Sequence, residues 1–357
     1  MIKNFWIALT FMIIGQSVAL TDVKANDVAK SGLNGPVKSV ESIEYTPKLV
    51  QNEWVPGDIN LITSRSFDSN GNMTLELLKD SKGNNIFSTK ISVFDSSKNV
   101  EYISYTDGGE VEYKEKGKVK LDGEVLSMNT YDAEGKITSS VKALIDAEGK
   151  ITKTSQYNEN NIVISSKNYG YNSTGWLSFI KVEKVGEPNY VEFYDYTSRG
   201  ELIEVKSVNL DGDVLNQILY SYNPNGKKRK VTIYPSLQDN KEHQVTTYND
   251  EGETLESIYY SDIGEIIQKE VFTYNEYGVV EKFDVFHLFN NVLVNDYSLH
   301  YDEFGNEVNR ITYDEKGIPA SNIETIYIYD TERNWTQKTE KLNDEVTLIV
   351  KRDISYF

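Results

Sequence analysis

A four-residue pattern, Asp/Asn-x-x-Gly, recurs along almost the whole chain and restricts its folding more than any other feature. It occurs eleven times: Asp68–Gly71, Asp80–Gly83, Asp132–Gly135, Asp146–Gly149, Asn172–Gly175, Asn209–Gly212, Asn223–Gly226, Asn249–Gly252, Asn275–Gly278, Asp302–Gly305 and Asp314–Gly317. An aromatic residue directly precedes eight of these copies, as at Tyr131, Tyr171, Tyr222, Tyr248, Tyr274, Tyr301 and Tyr313. Asp or Asn opens a type I turn because its short side chain accepts a backbone hydrogen bond inside the turn. Gly in the fourth place takes a positive φ without steric cost. A type I turn followed by such a residue closes a β-hairpin. Asn158-x-x-Asn161 reads as a degenerate copy, since Asn is the next-best left-handed residue.

The fourth positions form a ruler whose steps alternate between 12 and 14 residues. Gly109, Gly123, Gly200 and Gly264 fall on it, and gaps near Ser97, Glu187, Gln238 and Asn291 call for degenerate turns. Asp330-x-x-Arg333 closes the series. A fixed period of this kind marks a repeat array, here of about 26 residues with two strands per unit. Tight turns make successive strands antiparallel. The expected fold is therefore all-β, a long antiparallel β-meander of about twenty strands. Open sheets seldom exceed about ten strands without curling. We therefore expect coiling into a spiral, shell or partly closed barrel.

Alternate turns carry aromatic-x-aromatic ahead of them: Tyr169/Tyr171, Tyr194/Tyr196, Tyr220/Tyr222, Phe272/Tyr274 and Tyr327/Tyr329, with Leu299/Tyr301 a near copy. Residues two apart on a strand share a face. These side chains should form a ladder on one sheet face, either as part of the sheet's own packing or as a sugar-stacking platform. Tyr169, Tyr171, Tyr194, Tyr196, Tyr220, Tyr222, Tyr274 and Tyr301 are the candidate ligand-binding residues.

Residues 1–19 read as a secretory signal. Lys3 supplies the positive start, Phe5 to Gly15 the apolar run, and Ser17-Val18-Ala19 the small residues at the cleavage point. The apolar run is short for a membrane span, and no second stretch approaches that length. Residues 20–32 read as a flexible N-terminus of the mature chain. Residues 33–357 read as a single β domain, with Pro47 to Pro56 a loop and residues 335–357 a terminal cap. We expect an exported protein, periplasmic or secreted, with no transmembrane segment once the signal is removed.

Cysteine is absent, which excludes disulfides, thiolate metal sites and cysteine nucleophiles. The net charge of −18 with interspersed charges argues against nucleic acid and anionic membranes as partners. Only three histidines occur, His243, His287 and His300, without zinc-type spacing, and we read His287 and His300 as solvated strand residues. No Gly-x-Ser-x-Gly elbow is present. Acidic turns such as Asn249–Glu253 lack the spacing of a calcium loop. No catalytic, cofactor or metal residue is assigned, and the chain is not expected to be an enzyme.

The Tyr-Asp/Asn-x-x-Gly copies resemble the YD repeats of RHS (rearrangement hotspot) proteins. The stretch from Tyr327 through Asn334-Trp335-Thr336, and the opening Leu33-Asn34-Gly35-Pro36-Val37, resemble short exported bacterial members of that family. The resemblance covers roughly residues 33–357 and implies a long β-sheet wound into a hollow shell, which in large members encloses a toxic C-terminal domain. The period here is longer than is usual there, the chain is shorter, and no toxin domain is expected. The overall expectation is a non-catalytic exported repeat protein acting as an interaction or structural module. Its partner would be an unknown protein or glycan outside the cytoplasm. The alternative is a glycan-binding protein using the Tyr-rich face.

Overall fold

The turn chemistry is realised at every copy of the four-residue pattern. The computed structural model describes residues 27–94, 97–105, 110–120, 125–132, 134–236 and 242–357. The signal segment, residues 20–26 and the turn marks at Gly109, Gly123 and Gln238 lie outside these. All eleven pattern copies close the same way. In each, the fourth residue's N–H donates to the first residue's carbonyl, and the first residue's N–H donates to the carbonyl of the fifth. At Asp68 a carboxylate oxygen also accepts from the N–H groups of Asn70 and Asn72, both at 2.9 Å. Thr197–Gly200 and Ser261–Gly264 close identically, with Thr or Ser replacing Asn. So do Asn158–Asn161 and Asp330–Arg333, where Asn161 and Arg333 hold φ of 57° and 64°.

The remaining connections use other turns. Asn290-Asn291 and Asn343-Asp344 are two-residue loops with both φ values positive, the hairpin geometry that matches strand twist. Near Glu187 the left-handed residue is Gly186, at φ 82°.

Among the described residues, twenty-four strands, numbered β1 to β24 in chain order, belong to one sheet. Consecutive strands pair antiparallel, as in β16 (His243–Tyr248) against β17 (Thr254–Tyr260). Many strand side chains are half-buried on both faces. All eight positions of β3 (Met73–Asp80) are so. The sheet is thus held largely by cross-strand neighbours. Small hydroxyls recur at its most buried points, where Thr246 and Ser257 meet at 2.9 Å across β16 and β17.

Two expectations from sequence are corrected. Pro47 to Pro56 is not a loop. β1 (Val37–Val50) and β2 (Glu53–Phe67) form a hairpin around a two-residue turn at Gln51-Asn52, with φ of 50° and 66°. That turn sets Pro47 opposite Pro56 at a pair whose N–H groups point away from each other. Neither ring therefore breaks a bond between the two strands. Residues 27–32 are not loose either. Asp27–Lys30 form one helical turn, α1, and Val28 is 4% exposed.

The contacts divide the chain into two compact units. Among the described residues, the first comprises 27–41, Ile62–Tyr169 and Asp353–Phe357. Its apolar cluster is Val28, Leu33, Val37, Val40 and Phe67, with Met73, Ile354 and Tyr356 packed against it. The N-terminal segment is tied down by Val28 N–H donating to Gly71 O (3.1 Å) and Met73 N–H donating to an Asp27 carboxylate oxygen (2.9 Å). The chain's last residues join the same cluster. Phe357 N–H donates to Pro36 O at 3.0 Å, and the Ser355 and Ser39 hydroxyls meet at 2.6 Å. β24 (Glu345–Tyr356) accordingly pairs with β1, which covers an edge otherwise open to another chain.

The second unit comprises Ser42–Leu61 and Gly170–Arg352. Along one edge, the residue after each turn lies against the glycine of the next turn on that side. A Cβ at Gly200 would meet the Trp176 ring at 2.6 Å, and one at Gly252 would meet Lys227 at 3.3 Å. Glu201 and Gly226, Glu253 and Gly278, and Val279 and Gly305 repeat the relation. Asn225 extends it by donating to Asp250 O at 2.8 Å.

Candidate functional site

The tyrosine ladder forms, and register shows which members share a face. In the second unit Tyr194 pairs with Val205 and Val205 with Ile218, two residues before Tyr220. Ile218 leads through Ile233, Gln244 and Tyr259 to Gln268, which lies on the face of Phe272 and Tyr274. Phe272 pairs with Phe283 and Phe283 with Leu299, two before Tyr301. Tyr194, Tyr196, Tyr220, Tyr222, Tyr274 and Tyr301 therefore stand on one face. Tyr171 lies in the same unit, half-buried ahead of its turn. Tyr169 belongs to the first unit, where it packs on Ala143 and Ile151 with its hydroxyl 3.4 Å from Thr154 Oγ1.

All eight rings are half-buried. Several hydroxyls are bonded within the sheet. Tyr222 donates to Leu202 O (2.7 Å) and Tyr274 to Thr254 O (2.8 Å). Tyr327 donates to Glu307 O at 3.1 Å, again a separation of 20 residues. Tyr194 donates to a Glu192 carboxylate oxygen at 2.9 Å. Tyr196 lies 5.3 Å from Trp176, ring to ring. Burial raises the pKa of Tyr196, Tyr220, Tyr222, Tyr274 and Tyr301. Tyr248 belongs with them. Burial raises it too, with Tyr220 a second cause, and its place before Asn249 was readable from the turn pattern.

Other polar groups depart from the sequence reading. His287 is not simply solvated. Its Nδ1 lies 3.2 Å from Asp296 and its Nε2 lies 3.1 Å from Gln268. His243 is stacked between Tyr234 and Tyr260, with centroids at 5.3 and 4.6 Å. Asp284, 8% exposed, binds Ser298 and Lys282. Burial raises its pKa, but hydrogen bonds from Lys282, Ser298 and Asn295 outweigh that and leave it lowered.

The basic run Lys227-Lys228-Arg229-Lys230 departs from the interspersed charge pattern read from the sequence. All four side chains are exposed. No three His, Asp or Glu side chains among the described residues are placed to hold a metal ion. No helix among them is long and apolar enough to cross a membrane.

No protein-family model and no curated protein matches this chain. Among solved structures, TcdB2-TccC3 without its hypervariable C-terminal region is 11% identical over 85% of this chain, with a TM-score of 0.28. This chain spans 21% of the length of that one. A porin-like protein from Bacteroides uniformis is 10% identical, covering 90% of this chain and 99% of its own, with a TM-score of 0.23. A mutant of Transferrin Binding Protein B from Haemophilus parasuis is 8% identical, covering 90% and 75%, with a TM-score of 0.20. TM-scores this low carry no weight for function.

Proposed function

We propose that this chain is a non-catalytic exported repeat protein acting as an interaction or structural module. One observation carries the reading. A recurring tyrosine contact, hydroxyl to the backbone carbonyl 20 residues earlier at Tyr222, Tyr274 and Tyr327, ties neighbouring strands together. The sheet's faces and turn-lined edges are left as working surface. Export is supported by Lys3, the apolar run from Phe5 to Gly15 and the small residues Ser17 and Ala19. The partner on this reading is a protein outside the cytoplasm.

Fractionation of producing cells followed by cross-linking of the exported protein tests this. The expected result is a processed protein outside the cytoplasm, cross-linked to a defined partner that Tyr220→Ala still captures. Saturable binding of neutral glycans that Tyr220→Ala abolishes would replace this reading with a glycan-binding one. Retention in the cytoplasm would overturn the export.

A further inference from the structure

Lys227–Lys230 are four consecutive cations in a chain of net charge −18. Other cations of the second unit are mostly neutralised at short range. Lys269 meets Glu256 at 2.8 Å, Lys282 meets Asp284 at 2.8 Å, and Arg310 meets Glu307 at 2.9 Å. Among the described residues, none of Lys227, Lys228, Arg229 or Lys230 makes an ion pair.

Their presentation comes from the turn they follow. β14 (Val214–Tyr222) and β15 (Lys228–Tyr234) are joined by the Asn223–Gly226 turn. In the ladder Ser221 faces Lys230 and Tyr222 faces Lys228, so Arg229 is the extra residue of a bulge. A bulge bends the strand and re-aims its side chains. Lys227 rests its methylenes against Gly252, and its ammonium is left to solvent. The Lys228 ammonium lies 5.9 Å from the Tyr220 ring centroid. Lys228 and Lys230 oppose adjacent residues of β14 and so stand on opposite faces of the strand, with Arg229 at the bulge between them.

We propose that Lys227–Lys230 bind a linear polyanionic polysaccharide, one carrying sulfate or carboxylate groups. The surroundings select this class. Glu201 lies beside Gly226 on one flank, and Asp250 and Glu251 occupy the turn on the other. The Asp250 carboxylate accepts from Asn223 Nδ2 at 3.0 Å, and a Glu201 carboxylate oxygen lies 3.6 Å from where a Cβ of Gly226 would stand, so both acids border the turn itself. A bilayer or a duplex laid on the patch meets both acidic flanks and the chain's overall negative field. A single thin chain following β15 away from the turn meets Lys228, Arg229 and Lys230 with the least contact to these acids. Single-stranded nucleic acid is thin too, but its affinity leans on bases stacked on open rings. Here Tyr220 and Tyr222 are half-buried, and Tyr222 is bonded to Leu202.

This inference gives the interaction-module reading a ligand class and in that sense rests on it, while making no use of the tyrosine rings as binders. The two fail separately. Loss of polysaccharide binding leaves the cross-linked partner in place, and cytoplasmic retention leaves polysaccharide binding by purified protein in place.

The test uses the purified full-length chain with dextran sulfate and polygalacturonate. Neutral dextran, oligo-dT and phosphatidylglycerol vesicles are the comparison probes. The variants are K228Q/R229Q/K230Q and a charge-matched control at exposed sites elsewhere, K48Q/K82Q/K136Q. The expected result is binding to an acidic polysaccharide that weakens with salt. It should fall at least about tenfold in the first variant and little in the control, as release of condensed counterions by local cations requires. Equal loss in both variants reduces the effect to net charge and overturns the site. No binding to either acidic polysaccharide overturns it as well. Tighter binding to oligo-dT or to vesicles overturns the ligand class. Melting temperatures of the variants equal to the parent's show that any loss is not unfolding.

Discussion

The Arg352 guanidinium lies 3.3 Å from the Trp335 ring centroid. The Tyr327 ring lies 5.9 Å from the same indole. Trp335 is thereby held between β22 (Pro319–Tyr329) and β24, on either side of β23 (Trp335–Leu342). Trp335→Ala should destabilise by about 2 kcal/mol, below a fully buried tryptophan because the ring is half-exposed. Arg352→Lys should cost less, since the aliphatic stem and charge remain while the stacked plane is lost. Urea midpoints measure both. A neutral Trp335→Ala would show that the indole stabilises nothing.

Glycines in identical turns should differ in their tolerance of a methyl group. Gly212 and Gly200 hold φ of 94° and 86°. A Cβ at Gly212 would have no atom within 4 Å, whereas at Gly200 it would meet the Trp176 ring at 2.6 Å. Gly212→Ala should cost about 1 kcal/mol from backbone strain alone. Gly200→Ala should cost about 1 kcal/mol more, as the ring is displaced. Equal losses in chemical denaturation would remove the proposed packing between turns.

Tyr327 should lower stability in alkali. Burial first, then the nearby Asp302, Glu307 and Glu340 carboxylates, raises its pKa from 10.0 to about 12. Below pH 10 the phenol is protonated in both folded and unfolded chains, and its contribution is fully present. Between pH 10 and about 12 only the unfolded chain releases the proton, so stability falls as pH rises. Tyr327→Phe should lose less stability across this window than the parent. Identical pH profiles would assign the loss to other groups.

Truncation after Arg352 should loosen residues some 300 positions earlier. It removes Ile354 and Tyr356 from the cluster around Val37 and Val40, along with the Phe357 bond to Pro36. Amide exchange at Val28–Val40 should accelerate, with β12 (Tyr190–Tyr196) unchanged. Unaltered exchange at Val37 and Val40 would show that the last residues do not order the first strand.

Removal of Asp250–Asn275, one whole repeat, joins Asn249 to Glu276-Tyr277-Gly278 and restores a complete turn pattern. The product should remain soluble and folded. Removal of half that length reverses every later strand and should give aggregation. Equal solubility of the two products would rule out the two-strand unit.

The turn positions were legible because the turn is a local object. Four residues contain both the Asn or Asp acceptor and the left-handed site, so Asn158–Asn161 and Asp330–Arg333 were recognisable although Gly is missing. The ladder was legible for a similar reason, since alternation along one strand sets a face. The Tyr222 and Tyr274 partners were not, because a carbonyl 20 residues away is chosen by register. The Pro47–Pro56 hairpin was missed because prolines discourage strands in general. They are harmless only when the register places them at pairs that exchange no N–H, and no window of sequence contains the register.

Local chemistry in the sequence therefore determined an antiparallel repeat meander, its turns, its two-strand unit and one tyrosine-bearing face. Tertiary structure decided where the ends go. Val28 and Leu33 become ordered, and β1 meets β24, through contacts with Ile354 and Tyr356. None of these segments can bury its apolar residues by itself. Only mutual burial of apolar surface repays the entropy of ordering them, and that surface exists once both are in place.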